Sequence, residues 1–416
     1  MFSKIHCVKR GKWARNMIKR TDFLEKVRPF IGLDVIKVIT GLRRSGKSVL
    51  MKQIRDMILS EIDPSGKCIY VNLEESENAR FISPGVLHSY VSEIAKENEP
   101  AKTYVFLDEI SEVEEWEKTV NSLRAKENID VYVTGSNSKL LSGELATHLT
   151  GRFVEIKVTP FSFREFMAVT GAKDKEAAFD TYMKFGGMPF LSHLNYLESP
   201  SRDYLLDLYS SILLKDIVKR HKVRDVELLT RIIGYAMSES GHVISAASIQ
   251  RYLKSECRSI AFDTVMNYLQ FGEEAYLFNL VTREDLIGKR ILAVDEKVYG
   301  VDHGMRNAIV GGNVARDIER TLETIVYWEF VRRGYDVRIG RLKEKEVDFV
   351  CKKNGEPIYV QVCYVMESEL TREREFSALL GIPDQYPKMI LSLDRVDFSS
   401  AGIRHKRIPD FLLEDK

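Results

Sequence analysis

The sequence predicts an α/β fold built on a five-stranded parallel sheet, with helical and smaller α/β units after it. Three observations carry that expectation. Residues Gly41-Leu42-Arg43-Arg44-Ser45-Gly46-Lys47-Ser48 fit the pattern G-x-x-x-x-G-K-[ST] at every position, between a strand-like run at 36–40 and a helix-like run from Val49. From residue 36 to about 166, apolar runs of strand length alternate with helical segments, as buried parallel strands joined by crossover helices do. A second apolar run, Tyr104-Val105-Phe106-Leu107, ends in the acid pair Asp108-Glu109.

These pieces require one another chemically. Glycines at Gly41 and Gly46 let backbone N–H groups turn inward around phosphates, and the following helix adds the positive end of its dipole. Lys47 would reach the β- and γ-phosphates of ATP, and Ser48 and Asp108 would hold Mg2+. Glu109 would polarise the attacking water. Arg43 and Arg44 have two readings open, facing solvent or meeting a partner.

The expected strands lie at 36–40, 68–74, 103–109, 130–136 and 153–158, preceded by a basic lead-in at 1–35 that covers the sheet edge. Helical periodicity then runs to about Arg224, interrupted by Phe185-Gly186-Gly187-Met188-Pro189. Helices at 226–239, 245–254 and 261–272, followed by a ribbon, have the layout of a winged helix-turn-helix. A last unit opens with a helix at 315–333 that stops at Gly334, a C-cap residue, and continues with strands at 335–339, 346–351 and 358–364. The expected domains are therefore 1–35, 36–166, 167–224, 225–303 and 304–416.

Composition narrows the function classes. With 44% hydrophobic and 30% charged residues in 416, the chain reads as globular, neither disordered nor membrane-embedded. No apolar run approaches the ~18–20 residues of a membrane span, and the basic N-terminal stretch lacks a signal-like apolar core. Cys7, Cys68, Cys257, Cys351 and Cys363 never stand in C-x-x-C spacing, which points to reduced thiols in a cytoplasm and away from zinc. A net charge of +1 leaves nucleic-acid binding to local patches.

Further polar residues fall at strand ends. Ser136 and Asn137 follow the fourth expected strand and are candidates to touch the γ-phosphate or the water. Asn72 ends the second and could hold Glu109 inactive. Arg152, just before the fifth, is a candidate arginine finger. Together with TPFSFREF, YMKFGGMPF, LLKDIVKRH and KVYGVDHG, these motifs resemble the AAA+ superfamily. More narrowly, they resemble bacterial and archaeal ATPases that pair an AAA+ core with a C-terminal domain of unknown function. The resemblance implies a helical lid, a homo-oligomeric ring (a hexamer by expectation) with Arg152 acting in trans, and adenine near Gly187 and Pro189. No sensor-2 arginine is evident after the core.

The same resemblance implies a restriction-endonuclease-like C-terminal domain, with Glu323, Asp348, Gln361 and Cys363 at the active-site positions. Gln361 replaces an acid and Cys363 a lysine, so nuclease activity is not expected; Glu323 and Asp348 would instead cap or pair with neighbours such as Arg341 or Lys343. For DNA, the expected recognition helix exposes Asp263, Thr264, Asn267, Tyr268 and Gln270, a polar set. The basic candidates are Lys215, Lys219, Arg220, Lys222 and Arg224, then Arg332, Arg333, Arg338, Arg341 and Lys343. Three functions stay open: an ATPase remodelling or translocating duplex or branched DNA, a nucleotide-dependent assembly switch, and an ATP-dependent nuclease.

Overall fold

Five strands, β1 (Ile36–Gly41), β2 (Lys67–Asn72), β3 (Thr103–Asp108), β4 (Ile129–Thr134) and β5 (Phe153–Val158), pair in parallel in the order β2-β3-β4-β1-β5. They fall close to the spans expected from the apolar runs. The computed structural model describes residues 18–138, 151–255, 260–288, 290–311, 317–343 and 345–415. The basic residues Lys4, Lys9, Arg10, Lys12 and Arg15 lie outside these.

Every residue of the inner strands β1, β3 and β4 is buried, because helices cover both faces; the outer strands β2 and β5 are only partly buried. One face packs Ile36, Val38, Val105 and Leu107 against the helices Pro84–Glu97 and Trp116–Arg124. The other packs Ile39, Phe106 and Tyr132 against the helices Lys47–Met57 and Thr21–Val27. The latter helix belongs to the lead-in and sets Phe23, Leu24 and Val27 beside β5.

One ion pair is buried within this sheet. Lys37 on β1 is bonded to Asp130 on the neighbouring β4, and both are almost fully enclosed. Asp130 also accepts from Tyr132 Oη (2.9 Å) and the Gly32 N–H (2.8 Å), so its oxygens are satisfied. Burial lowers the pKa of Lys37, opposed by Asp130.

After β5, the capping box of Ser162 and Glu165 starts the helix Phe163–Thr170. The helices Lys175–Phe185 and Glu198–Ser211 follow. The last runs on as a π-helix, Ile212–Val218, and one further α turn, Lys219–His221. Three helices then appear where expected, Val226–Ser238, Ala246–Ser255 and Phe262–Glu274. Tyr268 on the third is buried rather than exposed, because it packs into the apolar core with Leu269 and Val265. The exposed face of that helix carries Phe262 and Met266 beside Asp263, Asn267 and Gln270.

The ribbon joins a larger sheet. The strands β6 (Val243–Ile244), β7 (Phe278–Asp285), β8 (Arg290–Gly300), β9 (Asp336–Leu342), β10 (Lys345–Lys353), β11 (Glu356–Val362), β12 (Lys388–Ser392) and β13 (Ile403–Arg407) form one eight-stranded sheet. Its order is β13-β12-β11-β10-β9-β7-β8-β6. Parallel pairing of β7 with β9, Arg283 opposite Ile339, carries the hydrogen bonding across the boundary expected at 303/304. A single apolar core runs from Phe163 and Ile217 through Leu229 and Phe278 to Trp328 and Leu412. Sequence periodicity does not reveal β13, whose Ile-Arg-His-Lys-Arg is the charged composition of an exposed edge. Among the described residues, no helix is long and apolar enough to cross a membrane.

Removing the acid of the Lys37–Asp130 pair strands a buried ammonium. We expect Asp130→Ala to destabilise the sheet by about 3–5 kcal/mol, while Lys37→Met with Asp130→Leu recovers most of the loss. Chemical denaturation followed by circular dichroism checks both; an Asp130→Ala midpoint equal to wild type would show that the pair contributes nothing.

Candidate nucleotide-binding active site

Parallel pairing puts the ends of β1, β3 and β4 on one rim. Because β4 lies between β1 and β3, the residues after it fall between the phosphate-loop motif and the acid pair. Gly41 has φ +135°, and a Cβ there would stand 2.1 Å from the Val158 carbonyl oxygen, so glycine is required. Gly46, at φ +101°, caps the helix that starts at Lys47. Arg44 is also left-handed, at φ +63°. Leu42 and Ser45 are buried beneath the loop, whereas Arg44 and Val49 are exposed at its surface.

Lys47 is 5% exposed and donates to the loop's own carbonyls, Gly41 O (3.1 Å) and Leu42 O (3.2 Å); its Nζ lies 4.0 Å from Glu109 Oε1. Burial lowers its pKa, opposed first by Glu109 and then by Asp216 and Asp108. Asp108 accepts from Tyr70 Oη (2.6 Å) and Thr134 Oγ1 (2.5 Å), and Thr134 also accepts from the Glu109 N–H (2.9 Å). Glu109 sits just past β3 in the left-handed region, φ +54°, a strained conformation of the kind that clusters at functional sites. Burial raises its pKa, with Lys47 opposing.

A cavity of about 460 Å³ joins these groups; its rim includes Lys47, Ser48, Asn72, Asp108 and Glu109. Its far end is aromatic, formed by Phe161, Phe190, His193 and Tyr204 with Pro189. Phe190 and Tyr204 stack at 4.6 Å, a surface suited to a flat base. Gly187 lies behind the cavity. Its N–H donates to Asp302 Oδ2 (2.8 Å), its carbonyl accepts from Phe161 N–H (2.7 Å), and a Cβ would meet Phe161 O at 2.2 Å. The GGMP and VDHG stretches thus fasten to each other.

The remaining expected positions are dispersed. Asn137 is fully buried, and Ser136 Oγ donates to Asp216 Oδ1 (3.2 Å). The Asn72 side chain donates to Glu75 Oε1 (3.0 Å) and accepts from the Glu74 N–H (3.1 Å). Arg152 stands at the start of β5, where its carbonyl accepts from Ile36 N–H and its guanidinium reaches Asn121 Oδ1 at 3.5 Å. That is the rim of the sheet opposite Lys47 and Asp108.

Two residues at this site carried no motif signal. Arg20, 3% exposed, donates to Ser45 O (3.2 Å), to Thr159 O (2.9 Å) and to Glu165, clamping the loop from below. Asp216, within LLKDIVKRH, pairs with Arg43 (3.3 Å). An acid among five basic residues was the one sequence hint.

Of the basic candidates, Lys215, Lys219, Lys222 and Arg224 are exposed and Arg220 is half-buried. Arg332 is engaged by Thr159 Oγ1 (3.1 Å) and Glu329, and Arg333 by Glu329 (2.8 Å) and Phe411 O (2.6 Å). Arg338 pairs with Asp336 (3.0 Å), and Arg341 Nε donates to Lys343 O (3.3 Å).

In the C-terminal part, Glu323 Oε2 accepts from Tyr299 Oη (3.1 Å) and Lys297 Nζ (3.4 Å), and Lys297 also pairs with Glu346 (2.6 Å). The Asp348 N–H donates to Gln361 Oε1 (3.3 Å), and Asp348 Oδ2 accepts from the Val362 N–H (2.8 Å). The cation beside these acids is therefore Lys297 from β8, not Arg341 or Lys343; β8 and β10 reach one place only because the sheet is continuous. Burial raises the pKa of Asp348, reinforced by Glu323, and raises that of Glu323, opposed by Lys297. Cys363 is buried in the apolar cluster that includes Met366 and Leu379. Among the described residues, no group of three or more His, Cys, Asp or Glu is arranged to hold a metal.

Comparison with known proteins follows this geometry. Residues 34–167 match an AAA domain family, and residues 176–315 match a domain family of unknown function. The chain is 36% identical over 384 residues to an uncharacterized protein of Haemophilus influenzae, covering 91% of this chain and 94% of that one. It is 29% identical to an uncharacterized protein of Methanocaldococcus jannaschii, covering 92% and 85%. A solved structure, the Walker-type ATPase of Pyrococcus abyssi, is similar at a TM-score of 0.48 and 13% identity, over 71% of this chain and 97% of that one.

If Glu109 polarises water, its carboxylate is the active form. Activity is then lost as pH falls through its raised pKa, so the acid limb of kcat/KM should lie above the ordinary glutamate value of 4.5. Glu109→Gln should retain ATP binding and lose about 10²–10⁴-fold in turnover, with no acid limb from this group. Steady-state rates across pH check both; equal turnover in the variant would remove Glu109 from the role.

Proposed function

We propose a DNA-directed motor activity for this chain, which belongs to the same family as the Haemophilus influenzae protein and carries an AAA-type P-loop ATPase domain. The observation that supports hydrolysis is the convergence of Lys47, Asp108 and Glu109 on one cavity that ends in an aromatic shelf. Lys47 leaves the carbonyls of Gly41 and Leu42 for the β- and γ-phosphates. Pro189 and the stacked Phe190 and Tyr204 receive the base. The Ser48 hydroxyl and the Asp108 carboxylate are hard oxygen donors suited to Mg2+, which would neutralise charge developing on the phosphoryl oxygens. Glu109 orients the water, and Ser136 at the tip of β4 acts beside it through its bond to Asp216.

The assembly is a homo-oligomer. Arg152 lies on the rim of the sheet opposite its own Lys47, so an arginine finger at this position serves a neighbouring subunit. If so, Arg152→Ala mixed with Lys47→Ala should regain part of the ATPase rate that each lacks alone. No regain, with size-exclusion chromatography showing mixed assemblies, would count against action in trans.

DNA as the load is supported by the exposed basic run Lys215, Lys219, Lys222 and Arg224, and not by the cleft beside the nucleotide cavity, which Glu74, Glu75 and Glu112 line together with Lys215 and Lys219. The Arg332–Arg338 group supports it less, being paired with Glu329, Phe411 O and Asp336. We expect duplex or branched DNA to stimulate the ATPase, and reversal of Lys219, Arg220 and Lys222 to weaken binding and flatten its salt dependence. No stimulation across single-stranded, duplex and branched DNA would favour the assembly-switch reading instead. Lys297 keeps a nuclease reading open, since it supplies an ammonium where the Gln361-Val362-Cys363 stretch has none. Incubating the same DNA panel with Mg2+ and ATP tests it by the presence or absence of cleavage.

A further inference from the structure

Arg43 of the phosphate loop pairs with Asp216 of the helical region after β5. Arg43 Nη1 donates to Asp216 Oδ1 (3.3 Å) and Nη2 to Glu74 Oε1 (2.9 Å). Ser136 Oγ donates to the same Asp216 oxygen, so one carboxylate ties together the phosphate loop and the tip of β4. Asp216 is 3% exposed, and its second oxygen, Oδ2, is buried without a hydrogen-bond partner. A buried carboxylate is seldom left half-satisfied in a purely structural ion pair. Asp216 also sits in the π-helical stretch Ile212–Val218, a distortion that turns up often at functional sites. Burial raises its pKa, with Arg43 opposing.

We propose that Arg43 and Asp216 form a latch operated by the terminal phosphate of ATP. Asp216 and Glu74 hold Arg43, and an incoming γ-phosphate takes it away. The proposal rests on the reading of this cavity as an ATP site. A γ-phosphate offers the guanidinium a bidentate, more highly charged partner than Asp216 does. It also sets negative charge beside Asp216, a carboxylate close enough to Glu109 to raise its pKa. Both effects drive Asp216 and its helix from the loop, and that helix bears Lys215, Lys219 and Arg220. ADP lacks the γ-phosphate and leaves the latch closed. Asp216 is thus a positioning residue acting through Arg43.

The latch makes a prediction that a merely structural pair does not. Asp216→Asn keeps the shape and removes the competitor for Arg43. Affinity for a non-hydrolysable ATP analogue should therefore rise by ~5–150-fold, the usual range of coupling between sites, with ADP affinity unchanged. Arg43→Ala should shrink the preference for the analogue over ADP, and Arg43→Ala with Asp216→Asn should match Arg43→Ala alone. Calorimetric titration of each nucleotide into the full chain reads these ratios, and Arg43→Lys, which keeps charge without the fork, serves if Asp216→Asn does not fold. A ratio of analogue to ADP affinity unchanged in Asp216→Asn, or in Arg43→Lys, would overturn the latch while leaving the ATP site intact. Failure of the wild-type chain to bind either nucleotide would overturn the ATP site itself, and the latch with it.

Discussion

Charge in a water-poor cleft is the constraint on which this protein depends. Lys47, Arg43, Asp108, Glu109 and Asp216 come together at the ends of β1, β3 and β4, and desolvation acts against the charged form of each buried member unless an opposite partner stands beside it. These groups satisfy one another: Lys47 turns to loop carbonyls with Glu109 near it, and Arg43 bridges Asp216 and Glu74. The geometry is preset by the strand order, because only with β4 between β1 and β3 does Ser136 land between the loop and the acids.

The rest of the chain braces that rim. Arg20 holds the underside of the phosphate loop, and its aromatic neighbours Phe23 and Phe161 lie within cation–π distance. Lys157 on β5 reaches Asn279 on β7 at 3.2 Å, and Arg332 reaches Thr159. These contacts lock the outer edge of the nucleotide-binding sheet to the eight-stranded sheet. The helices that bear Asp216 share a core with that second sheet, so displacement of the helix would be felt through one continuous apolar body.

The phosphate loop and the acid pair were legible because local sequence encodes them: glycines where φ must be positive, a lysine at fixed spacing, and a strand that ends in acids. The inner strands β1, β3 and β4 are legible because burial on both faces leaves largely apolar runs, and the half-buried β2 and β5 because apolar residues still dominate them. Asp216 was not, since its partner Arg43 lies 173 residues away and only the fold joins them. Lys297 was missed for the same reason. Its partners Glu323 and Glu346 lie on a helix and a strand that sequence reading assigned to another unit. Tyr268 differs again: helical spacing does not tell which face a core assembled from distant segments will cover, and here it covers Tyr268. The edge strand β13 was hidden by its own charges.

The parallel pairing of β7 with β9 has a consequence for how this protein can be taken apart. A chain cut near residue 303 would leave the Arg283–Asp285 end of β7 with unpaired N–H and C=O groups, next to the apolar surface that had faced Trp328 and Phe349. Such a fragment invites strand addition between copies and would be expected to aggregate.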